Sequence, residues 1–245
     1  MGGSYKARCV VLKKTKLGET DLILTMVDAQ GKQVRAVAKG ARKPGNRRFG
    51  ARLEPYSVVD VVLYPGRSLE SITEVRCVTT NASCRQTMEA SAACTMVAEL
   101  LEKVTSDGEV DERSVACAIA AFEAVGNADA TRGLLVACAA IMKLSAMMGI
   151  RPITRECAAC GGALDEGAVF DITAGGMLCE TCAPRAGSHD TAIAAWLDIL
   201  IGSKFSALVE LDDAPVGTLL DFSNAWLQEH LGLRLKSIPF ARQLL

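Results

Sequence analysis

The sequence predicts an α+β, multidomain chain: a small five-stranded β-barrel followed by an α-helical domain that carries an inserted four-cysteine module. Three observations predict it. Within the first 80 residues, five short alternating or β-branched runs are separated by turn residues. Beyond about residue 80 the chain turns Ala-rich, with apolar residues at helical spacing. Inside that second part, Cys157-Ala158-Ala159-Cys160 and Cys179-Glu180-Thr181-Cys182 make two close pairs with 18 residues between them. The expected boundaries are 1–80 for the barrel, 81–245 for the helical domain and 155–184 for the insertion.

The opening strand is expected over Lys6–Lys13. Asp21–Asp28 alternates, placing Leu22, Leu24 and Met26 on one face and Ile23, Thr25 and Val27 on the other. Asp28-Ala29-Gln30-Gly31 reads as a hairpin turn into a strand over Gln33–Ala38, and Ser57–Tyr64 and Leu69–Arg76 pair around Pro65-Gly66. Five strands in so little chain suit a closed barrel of the OB-fold kind. Helices are expected over Ser83–Val104, Ser114–Val125, Thr131–Met148, about Asp190–Ile201, and Val216–Leu231. On Thr131–Met148 the residues Leu134, Leu135, Cys138, Ile141, Met142, Ser145 and Met148 form one stripe. Gly149 and Gly232 are helix-terminating signals.

The cysteine quartet points to a metal. Zinc takes four thiolates in a tetrahedron, and a Cys-x-x-Cys turn delivers two without strain. Between the pairs, Gly161-Gly162 and Asp165-Glu166-Gly167 mark turns and Ala168–Ile172 is strand-like, which is ribbon architecture. One structural Zn²⁺ per chain, on Cys157, Cys160, Cys179 and Cys182, is the expectation. A redox dithiol, two disulfides and a degenerate metal-free site are its alternatives. The other six cysteines sit in apolar or Ala-rich surroundings and read as small core residues.

Net charge is −1, but it is unevenly spread. Residues 1–80 hold 15 Lys+Arg against 7 Asp+Glu, and residues 81–245 hold 12 against 21. A basic N-terminal part favours a polyanion partner. The charge concentrates in the 18-residue connection Lys39 to Tyr56, which contains Lys39, Arg42, Lys43, Arg47, Arg48 and Arg52 in a Gly/Pro frame. Single-stranded nucleic acid offers phosphates to such groups and base faces to aromatics. Lys13, Lys14, Lys16 and Arg35 extend the patch. Phe49, Tyr56 and Tyr64 are possible stacking residues, with a core role the blander and favoured reading for each.

Catalytic constellations are missing. The chain has two histidines, no HExxH and no phosphate-binding GxxxxGK[ST]. Ser188-His189-Asp190 has triad residue types only as sequence neighbours, which cannot form triad geometry, and it reads as a helix start. His230 reads as a helix end. The acidic group Asp107, Glu109, Asp111 and Glu112 reads as a solvated turn. Four cysteines saturate a zinc ion, leaving no position for substrate. A non-enzymatic protein is expected. Ten cysteines without a visible signal peptide, and no uncharged apolar stretch of about 18 residues, predict a cytoplasmic protein without a membrane anchor.

Taken together, the chain resembles the bacterial RecO family of recombination mediators and DNA repair proteins. The resemblance rests on Gly18-Glu19-Thr20-Asp21, Val37-Ala38-Lys39-Gly40-Ala41-Arg42-Lys43 and Leu53-Glu54-Pro55-Tyr56 in the first part. In the second it rests on Met148-Gly149-Ile150-Arg151-Pro152 before the first cysteine pair, Phe170-Asp171, Gly175-Gly176-Met177-Leu178-Cys179, and His230-Leu231-Gly232-Leu233-Arg234-Leu235-Lys236-Ser237. It implies an OB-fold domain, a helical domain with a structural zinc module, and binding of single- and double-stranded DNA. It further implies annealing of complementary strands and help in loading recombinase onto strands coated by single-strand-binding protein. The implied partners are RecR and the acidic C-terminal tail of single-strand-binding protein. The rival reading is a zinc-containing OB-fold adaptor that binds protein or RNA.

Overall fold

A computed structural model describes residues 3–46, 49–106, 108–183 and 191–245 of the 245-residue chain. Five strands form a closed barrel in the order β1-β2-β3-β5-β4: β1 Tyr5–Leu17, β2 Asp21–Asp28, β3 Gln33–Ala38, β4 Val58–Tyr64 and β5 Glu70–Thr79. Every pairing is antiparallel except β3 with β5, so this is the OB-fold arrangement. β1 serves two neighbours. Tyr5–Val10 pairs with β4, and Cys9–Leu17 pairs with β2 across a bulge between Val11 and Lys13. The strand outruns the expected Lys6–Lys13 because Lys14 to Leu17 form a two-stranded ribbon with β2. Both faces of that ribbon meet solvent at β1, so no apolar alternation marks it.

β2 is buried on both sides, which its alternation explains. Leu24 and Met26 point into the barrel with Val11, Val34, Ala36, Val59 and Leu63. Val27 points outward and joins Val10, Leu12 and Tyr56 in the core of the helical part. The barrel is thus fastened to the helices by its own outer wall. Gln33 adds polar ties, its amide donating to Glu102 O at 2.8 Å and Thr105 Oγ1 at 3.0 Å.

The helical part contains α1 Met88–Val104, α2 Glu112–Gly126, α3 Ala130–Met147, α4 Ala192–Gly202, α5 Phe205–Leu208, α6 Val216–Leu231 and α7 Ser237–Arg242. α1 starts later than the expected Ser83. A 3₁₀ turn, Ala82–Arg85, precedes it, and Thr87 caps it by accepting the Ala90 N–H at 3.1 Å. α3 is buried continuously from Gly133 to Met142 rather than along one stripe, because α1, α2, α4 and α6 surround it. By length and composition alone α3 could cross a bilayer, yet 67% of it is buried against its neighbours. α6 has the expected bounds and ends in an αL cap: Gly232 takes φ +65°, and its N–H donates to Gln228 O at 3.1 Å. α7, too short for a periodic signal, is capped by Glu99 of α1. The Glu99 carboxylate accepts from Lys236 N at 2.9 Å, Ser237 N at 3.0 Å and Ser237 Oγ at 2.7 Å.

Candidate metal centre and basic barrel face

Between α3 and α4, a two-stranded hairpin, β6 Val169–Asp171 and β7 Gly176–Leu178, carries the cysteines. Alternation along both strands gives the hairpin two faces. Val169 and Leu178 pack against Cys157 and Cys179, while Phe170 and Met177 enter the helical core. The Phe170 ring meets Phe222 edge-on at 5.5 Å and lies 6.5 Å from Trp226, both on α6. The ring of His230, also on α6, lies 3.9 Å from that of Trp226 at a tilt of 45°, with Nε2 2.8 Å from Ile172 O. Thr154 donates to Asp198 of α4 at 2.7 Å. The module is therefore bolted onto the helices from two sides.

Backbone hydrogen bonds shape both cysteine turns. Gly161 N–H donates to Cys157 O at 2.8 Å, with Gly161 at φ +70°, where only glycine is comfortable. Ala158 N–H donates to Met177 O at 2.7 Å, hanging the first turn from β7. Cys182 N–H donates to Cys179 O at 3.0 Å in the second turn. A Cβ on Gly176 would lie 2.3 Å from Ile153 O, so this close strand approach requires glycine. The four Sγ atoms all lie within 4.8 Å of one another, and those of Cys160 and Cys179 are 3.9 Å apart. A tetrahedron with Zn–S bonds of about 2.3 Å has edges of about 3.8 Å, so the set matches the shape in number, softness and spacing. None of the ten cysteines is joined in a disulfide.

The electrostatics fit a cation as well. Backbone N–H groups of Cys179 and then Cys160 pull the Cys157 thiol down to about 6. Hydrogen bonds with Cys179, Cys160 and Cys157 push Cys182 up to about 12. One thiolate is favoured by main-chain donors, and the last is disfavoured, first by its hydrogen bonds with the neighbouring sulfurs and least by their charge. A divalent cation supplies the missing countercharge. The cluster is thus able to coordinate a metal ion.

The other predicted site lies on the barrel, and the strand ladder distributes its residues. Lys13 on β1 and Arg35 on β3 both stand opposite Thr25, forming one cross-strand row on the outer face. Lys14 and Lys16 stand opposite Leu24 and Leu22, on the other face of the ribbon. Lys39, Arg42 and Lys43 are exposed where the β3–β4 connection folds back over the β1–β2 turn. Arg42 N–H donates to Thr20 O at 2.8 Å and its guanidinium to Gly18 O at 3.2 Å. Asp21 fastens the fold-back, accepting from Gly40 N at 2.7 Å and Thr20 Oγ1 at 2.9 Å. Those bonds, the Gly40 N–H first, hold its carboxyl below the usual carboxylate range.

Among the described residues, Lys13 is tied to Glu102 at 2.8 Å and Lys14 to Glu54. Lys16, Arg35, Lys39, Arg42 and Lys43 have no carboxylate within 4.0 Å among the described residues. Arg52 lies exposed in a 3₁₀ turn, Gly50–Leu53. Arg47 and Arg48 lie outside the described residues, as do Asp107 and Ser188, His189 and Asp190. Phe49 is buried inside the barrel, and Tyr56 is buried against Phe122 at 5.2 Å, its hydroxyl 2.8 Å from Thr95 Oγ1. Tyr64 is 49% exposed.

Sequence reasoning missed Lys32 and Arg67. With Arg35 they line a cleft of about 550 Å³ between β3, the β4–β5 turn and the α1–α2 connection. Each is an isolated cation in a short turn, so no run in the sequence flags it. Glu70 and Glu109 line the same cleft, and Glu70 accepts from the Tyr5 hydroxyl at 2.7 Å. A second cavity, of about 610 Å³, lies among α2, α3 and α5. Its apolar wall includes Phe205 and Val209, and Lys143 and Lys204 stand at it. The Lys143 ammonium donates at 2.7 Å to both Ile201 O and Ser203 O, and burial lowers its pKa.

Comparison with known proteins matches residues 1–81 to the family model "Recombination protein O N terminal" and residues 85–239 to "Recombination protein O C terminal". A DNA repair protein RecO from Nocardioides sp. is 31% identical over 247 aligned residues, covering 98% of this chain and 99% of the relative. A DNA repair protein RecO from Rubrobacter xylanophilus is 35% identical over 179 residues, covering 73% of this chain and 71% of the relative.

Proposed function

The chain belongs to the Recombination protein O family, and on that premise we propose that it is a non-enzymatic, DNA-binding mediator of recombinational repair. It binds single and double strands at the basic barrel face, anneals complementary strands, and helps load recombinase onto strands coated by single-strand-binding protein. The observation that carries this reading is the cluster of exposed cations Lys39, Arg42 and Lys43, which form no ion pair within 4.0 Å among the described residues and fold against the β1–β2 turn into which Lys16 leads. Phosphate neutralisation needs charge of one sign on a surface that the strand reaches, and this surface supplies it. Lys13, Lys14, Arg35, Arg47, Arg48 and Arg52 complete the proposed contact set. With phosphates on two strands neutralised, repulsion between them falls while their bases stay free to pair. The protein makes and breaks no bond.

Cys157, Cys160, Cys179 and Cys182 hold one structural zinc ion in this reading, which fixes the hairpin against α4 and α6. RecR and the acidic C-terminal tail of single-strand-binding protein are the proposed protein partners. The cavity at Lys143 and Lys204, which Glu123 also lines, sets two ammonium groups against one carboxylate beside an apolar wall and is the proposed seat of such a tail. Replacing Lys39, Arg42 and Lys43 together by Ala tests the DNA reading. Single-strand affinity and the rate of complementary-strand annealing should both fall at least tenfold. Unchanged values for both would instead favour the adaptor reading, in which the barrel binds protein.

A further inference from the structure

The two cysteine turns are held differently. The first hangs from β7 through the main chain, by Ala158 N–H to Met177 O. The second receives a side chain: both carboxylate oxygens of Asp165 face the N–H of Glu180, at 3.1 and 3.3 Å. Glu180 directly follows Cys179 and precedes Cys182 by two positions, so this amide sits inside the turn that aims both thiols. Asp165 itself begins a tight turn, closed by Ala168 N–H to Asp165 O at 3.1 Å. Gly167 in that turn brings the hairpin so near that a Cβ there would lie 2.9 Å from the Glu180 Cβ. Within the second turn the Cys179 N–H faces the Cys157 thiol, and Asp165 is the residue outside the quartet whose side chain accepts from it.

We infer that Asp165 is a positioning residue of the metal centre, fixing the second cysteine turn so that Cys179 and Cys182 converge with Cys157 and Cys160. The inference rests on the reading of the quartet as a zinc site. Loss of an outer hydrogen-bond partner of a metal site typically costs 10–100-fold in metal affinity.

The test uses the full chain, with zinc affinity read by competition against a chromophoric chelator and coordination read from the absorption spectrum of the Co²⁺-substituted protein. Asp165→Ala should bind zinc about tenfold more weakly, the low end of that range because Asp165 is exposed. Asp165→Asn keeps an acceptor for the Glu180 amide and should stay within about threefold of the natural chain. Glu180→Ala keeps the amide and should do the same. Natural affinity or tighter binding in Asp165→Ala would overturn the positioning role while leaving the zinc site standing. A natural chain that holds no stoichiometric zinc would overturn both.

Discussion

The cysteine module and the basic barrel face are both organised around charge, and they differ in almost everything else. Four sulfur atoms converge within 4.8 Å, held by main-chain bonds, an Asp165 brace and a hairpin whose far side is buried in the helical core. The cations of the barrel spread over β1, β3 and a long connection, and Lys16, Arg35, Lys39, Arg42 and Lys43 are exposed with no ion pair within 4.0 Å among the described residues. Coordination requires fixed positions, because a ligand 1 Å out of place is lost. Phosphate neutralisation requires only enough charge of the right sign within reach. The first kind of site therefore depends on packing far from it, and the second tolerates substitution at any one member.

This contrast breaks most sharply at Phe170. Phe170→Ala empties a fully buried aromatic position and should cost about 3–5 kcal/mol of stability. Denaturant melts should register that loss, and zinc should leave the variant faster than the natural chain. Single-strand affinity of the folded variant should stay within about twofold. Equal loss of both functions would join the two sites into one unit. Chelation offers a milder version, since structural four-thiolate zinc carries an apparent ~10–16 kcal/mol of binding free energy at neutral pH. Removing the metal should increase amide exchange in the hairpin and leave the barrel protected.

Within the barrel, the ion pairs rank the cations. Lys13 and Lys14 already have carboxylate partners, so Lys16→Ala or Arg42→Ala should weaken DNA binding more than Lys13→Ala. Glu102→Ala should strengthen binding modestly, because it releases Lys13, and an anisotropy titration reads this directly. The pairs are exposed, so each effect is small, about 0.2–1 kcal/mol. The smallest effect concerns pH. Asp21 has a depressed folded pKa, so its contribution exists above the ordinary carboxylate range and is lost as pH falls through the folded value. The Gly40 amide resonance should titrate with a midpoint below that of a solvated aspartate.

Legibility in the sequence followed locality. The bounds of β2, β3 and α6 agree with alternation, turn residues and the Gly232 stop. The quartet was visible because each cysteine turn spans four residues. The buried girth of α3 was hidden, since an Ala-rich helix shows a stripe whether one or four neighbours surround it. α7 was hidden because its cap, Glu99, lies 138 residues from Ser237. Lys32, Arg35 and Arg67 share a cleft only after β3 pairs with β5. Charge composition gave the sign of the barrel face, whereas only the ladder register sorted Lys13 and Arg35 from Lys14 and Lys16.

The electrostatic account is tested most directly by titrating the full chain with a fluorescent single strand at about 50 and about 200 mM salt. Engagement of roughly six phosphates predicts a loss of affinity near a thousandfold across that interval. An affinity that stays level between the two concentrations would contradict it.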